Sequence, residues 1–438
     1  MKQRVGNLRW SMITLISFGL LVFTLDRTNL SVAAGPFMKE YGLNQGQIGI
    51  ILSSFAWSYA LIQIPVGVML DKIGVKWIMR VGTFLWALAT FMTALVSGMG
   101  LIILSRVILG FAEGPSMSSG AKAISYWFTT KERGRAHAIQ DAASRFSSVI
   151  GVPIVAYVVT VGGWKGGFWF TGVVSLIYAV VYWIWYRDPK QSKLLSEAEQ
   201  NYLIEGGAHT DKETSGNFMQ TLGFVLRQKK VWGLTIGFAC YTYSYYLFIT
   251  WLPGYLETEM HMSVLASGFF TTIPWLTATI CDLVFAGWFV DYLINKGYDA
   301  VKVRKTTMVV TMAIGVAVLG AAFTTNPVIA ITFLSISLGA LTISAATAWS
   351  VPGLIAPTDT VATVGGVMNF FANLMGIAAP IVTGFIASGT GTFSLGFIVA
   401  GIFLIIGVLC YIFLLGRIEP IRVESEKMVE DAELLLSK

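Results

Sequence analysis

Asp26, Arg27, Arg106 and Glu113 are charged side chains set inside stretches that are otherwise apolar enough to span a bilayer. Charge at that depth is costly and persists where it handles an ion, a proton or a charged substrate. Two guanidiniums beside two carboxylates have the means to hold an anion and to exchange a proton. Arg106 and Glu113 are seven residues apart, so a helix sets them on one face about 10 Å apart along its axis. Asp26 lies 17 residues after Arg9, about 25 Å along an oppositely directed run. The two pairs are therefore expected at similar depth, able to meet across a central cavity. The competing reading is a set of static ion pairs that fix helix packing. It is the weaker one, because isolated buried pairs stabilise little and apolar residues replace them well.

Coupling between these groups follows from electrostatics. A substrate carboxylate seated on an arginine neutralises the counter-charge of the neighbouring carboxylate, which then takes a proton more readily. By linkage, protonation frees the arginine for the substrate. The expectation is proton-coupled uptake of an anion, with H⁺ as the coupling ion and no cofactor.

The elements that must position these residues are membrane spans. Of 438 residues, 55% are hydrophobic and only 12% charged, about half the charge of a soluble domain. Mean hydropathy is +0.69. Twelve apolar runs are long enough to cross a hydrocarbon core of roughly 30 Å. They lie near 11–37, 45–70, 77–97, 100–127, 136–160, 166–186, 231–256, 263–290, 305–324, 327–352, 361–388 and 393–416. The net charge of +6 reports topology rather than affinity for nucleic acid. Of the 30 Lys and Arg, Arg27, Arg106, Lys122 and Arg145 lie in spans, Lys39 and Lys165 in alternate loops, and the other 24 at the termini or in loops on one side. Positive charge stays in the cytoplasm, which puts both termini inside. The fold class expected is an all-α integral membrane protein of twelve transmembrane helices in two six-helix bundles, multi-pass in the cell membrane. A polar linker at 187–230 divides bundles at 1–186 and 231–416, and 417–438 is a cytoplasmic tail with a short surface helix. Ser196 and Glu199 mark a helix start within the linker. Cys240, Cys281 and Cys410 have no ligand-spaced partner, and no metal site is expected.

The loop Gly67-Val68-Met69-Leu70-Asp71-Lys72-Ile73-Gly74-Val75-Lys76 is echoed by Gly287-Trp288-Phe289-Val290-Asp291, with Arg304 opening the next run. The two aspartates are 220 residues apart, which implies parallel halves related by an axis along the membrane normal. Gly67 is expected to permit close helix approach. Asp71, Lys76, Asp291 and Arg304 are expected to make charge contacts that hold one conformational state and break in the other.

This loop resembles the signature loop of the major facilitator superfamily. Leu25-Asp26-Arg27-Thr28-Asn29-Leu30, Tyr59-x-x-x-Gln63-Ile64-Pro65-x-Gly67, Arg106-x-x-x-Gly110-x-x-Glu113, Thr250-Trp251-Leu252-Pro253-x-Tyr255-Leu256 and Gly365-Gly366-x-x-Asn369-Phe370 narrow the resemblance. Together they resemble its anion:cation symporter family, nearest to bacterial D-galactonate and hexuronate carriers, over residues 10 to 416. The resemblance implies that Arg27 grips the substrate carboxylate and that Asp26 and Glu113 carry protons. It also implies that Arg106 tunes Glu113 and that Tyr59 and Asn369 line a sugar-acid pocket. The expected function is a proton-coupled symporter for a sugar acid, acting as a monomer among membrane lipids. The alternative is a dicarboxylate or other organic-anion carrier. An enzyme is not expected, since no nucleophile–base pair, metal set or cofactor motif is present.

Where the galactonate carriers have glutamine in the fifth span, this chain has Arg145. Asp141, four residues earlier, stands in register for an ion pair; the other reading is that Arg145 meets a second anionic group on the substrate. Asp282 in the eighth span could bind a proton or cation, or make a packing contact to a hydroxyl or amide. Tyr241, Tyr243, Tyr245, Tyr246 and Trp251 crowd the seventh span and Trp349 closes the tenth. Tyr243, Tyr246 and Trp349 are the aromatics assigned to the substrate cavity.

Overall fold

The computed structural model describes residues 6–192, 194–208, 218–357 and 360–421. Part of the linker (209–217) and the tail from 422 on, where a surface helix is expected, lie outside the described residues. The long helices are α1 (Leu8–Val32), α2 (Gln45–Ile73), α3 (Val75–Leu95) and α4 (Met99–Trp127), followed by α5 (133–162) and α6 (164–185). The second set is α7 (Lys229–Thr258), α8 (Val264–Asn295), α9 (Ala300–Ala322), α10 (Pro327–Trp349), α11 (Val361–Thr390) and α12 (Ser394–Leu414). Among the described residues, nine helices are both long and apolar enough to cross a membrane. One of them, Arg133–Trp185, holds both α5 and α6. No strand occurs among the described residues.

Local chemistry explains the boundaries. Asn44 and Gln47 form a reciprocal capping box at the start of α2. Asn326 caps α10 with Pro327 in its first turn, and Asp299 accepts two backbone N–H groups at the start of α9. The α5–α6 joint is Gly163, whose φ of 68° is in the left-handed region that favours glycine. Gly114-Pro115 splits α4 into Met99–Glu113 and Ser116–Trp127, which leaves Glu113 as the last residue before the break. In the linker, Ser196 accepts the Glu199 backbone N–H as its spacing predicts. The Glu199 carboxylate turns instead to Arg9 Nη1 and the Arg9 backbone N–H, and Glu132 takes the other side of the same guanidinium.

Alternating helices bring the regions near Arg9, Glu132, Gln191, Lys230 and Gly416 to one end of the bundle, here the terminal end, as their mutual bonds show. Toward the opposite, far end the two halves touch. Ser31 donates to the Thr250 carbonyl at 2.5 Å, and Gly49 of α2 crosses α11 so closely that a Cβ would lie 2.4 Å from the Pro380 oxygen. Gly268 of α8 similarly meets Ala156 of α5. At the terminal end Leu61, Phe285, Phe289, Trp349 and Phe370 are exposed. The outward faces carry further exposed apolar side chains such as Leu88, Ile177, Ile184, Ile273 and Ile280. An apolar surface that wide is what lipid contact requires.

The signature-loop region corrects one expectation. Among the described residues a Cβ at Gly67 would meet nothing within 4 Å, so no close helix approach is made there. The tight crossing is at Gly110, where a Cβ would lie 2.2 Å from both the Phe55 oxygen and Ser58 Oγ. Because backbone cannot yield as a flexible side chain does, Gly110→Ala is expected to cost about 1–3 kcal/mol, read as a lowered Tm of the detergent-solubilised protein. Lys76 donates to Gln191 at 2.6 Å, and Lys122 donates to the Leu70 carbonyl at 3.1 Å. Asp291 is exposed in the last turns of α8 and Arg304 half-buried in α9. The Asp71 side chain lies outside what is described.

Candidate functional site

Successive residues on a helix point about 100° apart, and this separates Asp26 from Arg27. Asp26, 1% exposed, turns into the space between α3 and α6. There one carboxylate oxygen accepts Trp86 Nε1–H and, at 2.7 Å, the Ser175 hydroxyl. Asn29, one turn on, donates to Thr171 of α6 at 2.9 Å. Arg27 points the other way, toward α2 and the division between the halves. Its guanidinium lies 4.0 Å from the Phe23 ring centre, 4.4 Å from Phe55 and 4.5 Å from Tyr59. Phe23 is one turn before Arg27, while Phe55 and Tyr59 are four apart on α2 and stacked. Three aromatic faces around a cation give it electrostatic support without neutralising it.

Glu113 is fully buried, and its Oε2 lies 3.8 Å from Arg27 Nε. Among the described residues neither Glu113 oxygen has a hydrogen-bond partner, and Arg27 Nε and Nη2 also lack one. Arg106, 3% exposed, stands 5.6 Å from the Phe55 ring, so one phenyl group stands near both cations. Depth alone predicts a meeting of the two charge pairs. The geometry makes that meeting through Arg27 and Glu113, while Asp26 is enclosed behind them by Trp86 and Ser175.

From the second half, α7 supplies an aromatic wall. Tyr245 packs on Tyr246 and Tyr241, and Phe238 links Tyr241 to Trp349 at the terminal end, where Trp349 is 49% exposed. Tyr245 also packs edge-on against Trp275 of α8, at 5.6 Å between ring centres. Tyr246 is within the field of Arg27 and fits against Gly376 of α11. Asn369 is seven residues before Gly376, hence on the same α11 face two turns toward the terminal end. Tyr243 does not belong to this wall. It is 1% exposed and stacks on Phe403 of α12 at 4.5 Å, because a two-residue step along α7 turns it away from Tyr241 and Tyr245. Tyr246→Ala is therefore expected to lower the initial uptake rate about tenfold and Tyr243→Phe to leave it within about twofold, measured in liposomes.

Arg145 also departs from its simplest reading. Its Nε lies 3.1 Å from Asp282 Oδ2, so its ion pair crosses from α5 to α8 and is not made with Asp141. The cause is tertiary: α5 and α8 face each other along the division, with Thr272 donating to the Val149 carbonyl one turn further on. Asp282, rather than packing on a hydroxyl or amide, is that pair's carboxylate. Of the residues that spacing missed, Phe23 and Phe55 could have been found as aromatics four residues from Arg27 and Tyr59. Trp86 and Ser175, 60 and 149 residues from Asp26, carry no local signal.

Comparison with known proteins gives consistent findings. Residues 16–380 match the family model described as Major Facilitator Superfamily. The chain is 36% identical over 421 residues to the Bacillus subtilis (strain 168) "Uncharacterized transporter YybO", covering 96% of this chain and 97% of that one. It is 30% identical over 420 residues to the "Probable L-galactonate transporter" of Escherichia coli (strain K12), covering 94% and 91%. In fold it is similar to the crystal structure of a bacterial homologue of the human lysosomal transporter Spinster, inward-facing and unoccupied. The TM-score there is 0.77 at 16% identity, covering 94% of this chain and 98% of that one.

Proposed function

We propose, for a chain that belongs to the Major Facilitator Superfamily, that it imports a sugar acid of the galactonate or hexuronate type in symport with protons. At the coarser level the matter is plain: it is a multi-pass membrane transporter of the organic-anion kind and not an enzyme. The observation that carries the finer reading is Arg27. Its guanidinium is boxed by three rings, retains N–H groups with no partner among the described residues and stands beside a fully buried carboxylate. An anion of one carboxylate and several hydroxyls fits such a place, with the carboxylate on Arg27 and the hydroxyls along Tyr59, Tyr246 and Asn369.

In this reading the carboxylate of the substrate takes over Arg27 from Glu113, and Glu113 binds a proton as its counter-ion is shared. Asp26, held by Trp86 and Ser175, is the second proton carrier, and Arg106 adjusts both carboxylates from the far side of Phe55. All twelve helices span the bilayer with both termini in the cytoplasm, and the halves 1–186 and 231–416 rock about the site as a monomer in lipid. The far-end contacts then close the outside, and the structure is the inward-facing state. The test is uptake of labelled galactonate by purified protein in liposomes, with and without an inward proton gradient. Accumulation that collapses with a protonophore supports the proposal. Folded protein that takes up galactonate indifferently to the gradient would refute the coupling.

A further inference from the structure

The cross-half pair Arg145–Asp282 has no part in the mechanism above, and three observations set it apart from a packing contact. It joins the two halves directly, at 3.1 Å between α5 and α8. Both partners remain partly open, with side-chain exposures of 28% and 15%, and among the described residues the second Asp282 oxygen has no hydrogen-bond partner. At Asp282 the backbone of α8 changes to a π-helix over Asp282–Phe289. Such wide turns inside a helix are frequent at functional sites. Tyr245 of the aromatic wall packs edge-on against Trp275, seven residues before Asp282 on α8, and against Tyr246, which sets the pair's helix beside that wall.

We infer that Asp282 is a specificity-determining residue: by occupying Arg145 it keeps the cavity set for a substrate with one negative charge and disfavours a dianion. This rests on the carrier reading and refines its substrate class. Arg27 faces Glu113 and Arg145 faces Asp282, with Asp141 four residues before Arg145 on α5 as a further carboxylate on that side. A monoanion on Arg27 is balanced by one proton on Glu113. A second anionic group would find Arg145 already neutralised, and to reach it would have to displace Asp282 and strand that carboxylate in a poorly hydrated cleft. Charges stranded in this way are strongly disfavoured, and exclusion of a competitor by an unpaired charge is a standard route to selectivity.

The experiment is competition against labelled galactonate uptake in liposomes by unlabelled galactonate and by galactarate, its dicarboxylate counterpart. Wild type is expected to be inhibited at lower concentration by the monoanion. Asp282→Asn frees Arg145 while keeping size and polarity, and is expected to shift the galactarate-to-galactonate inhibition ratio at least about tenfold toward galactarate. In the double variant Arg145→Gln/Asp282→Asn the ratio is expected to return near the wild-type value. A purely structural pair would lower uptake and Tm without moving the ratio, and that outcome overturns the inference, as does a wild type that prefers galactarate. Should Asp282→Asn not fold, Arg145→Gln alone decides: the bare Asp282 charge is expected to weaken the dianion more than the monoanion, and an unmoved ratio refutes the assignment. Failure of the carrier reading would look different, because folded wild-type protein would then take up no galactonate at all.

Discussion

Replacing Arg27 by lysine is expected to weaken substrate binding by about 10- to 100-fold while leaving the protein folded. Lysine keeps the positive charge opposite Glu113, so the buried carboxylate is not stranded. It loses the planar fork that can hold a carboxylate through two parallel N–H bonds, and the flat face that lies against Phe23, Phe55 and Tyr59. Binding measured by calorimetry or competition, beside Tm, separates the two effects. Arg27→Ala is the poorer test. It removes the counter-ion of a fully buried glutamate, a kind of change that costs about 3–5 kcal/mol of stability, so lost uptake would be ambiguous. Lysine substitution with unchanged affinity would remove Arg27 from the anion site.

Glu113→Gln is expected to abolish gradient-driven accumulation while substrate exchange across the membrane continues. Glutamine is nearly isosteric, so the packing at the Gly114-Pro115 break is kept, but it cannot cycle a proton. For each proton carried with the substrate, a gradient of one pH unit supplies about 1.4 kcal/mol, or about tenfold accumulation. The variant should fall to equal concentrations inside and out, with counterflow exchange retained. Wild-type accumulation by Glu113→Gln would sink the role given to Glu113 and leave Asp26 as the remaining proton carrier. The Trp86 and Ser175 bonds to one Asp26 oxygen make the outcome at Asp26 harder to read, because Asp26→Asn also reverses the polarity of a hydrogen-bonded atom.

Much of this molecule was legible along the chain. The apolar runs near 77–97, 305–324 and 327–352 reappear as α3, α9 and α10 within a few residues, because length and hydropathy are local properties. The capping pair at Ser196 was equally local. The charged residues within spans were conspicuous for the same reason: in an apolar sequence each costs enough to need an explanation.

Partner choice was not legible. Spacing offered Asp141 to Arg145, and the structure gives it Asp282, 137 residues away, because α5 and α8 pack face to face from Gly268–Ala156 through Thr272–Val149 to Asp282–Arg145. Spacing treated the tyrosines of α7 as one group, and the structure divides them between the cavity and the α12 interface. Neighbouring Asp26 and Arg27 read as one motif, yet the helical turn sends them into different compartments. The sequence by itself determined that the chain is a membrane-embedded helical carrier with buried acids and arginines, since those facts follow from composition, hydropathy and short strings. Only the tertiary structure decided which acid faces which arginine, because a helix fixes the direction of a side chain but not the helix it will meet.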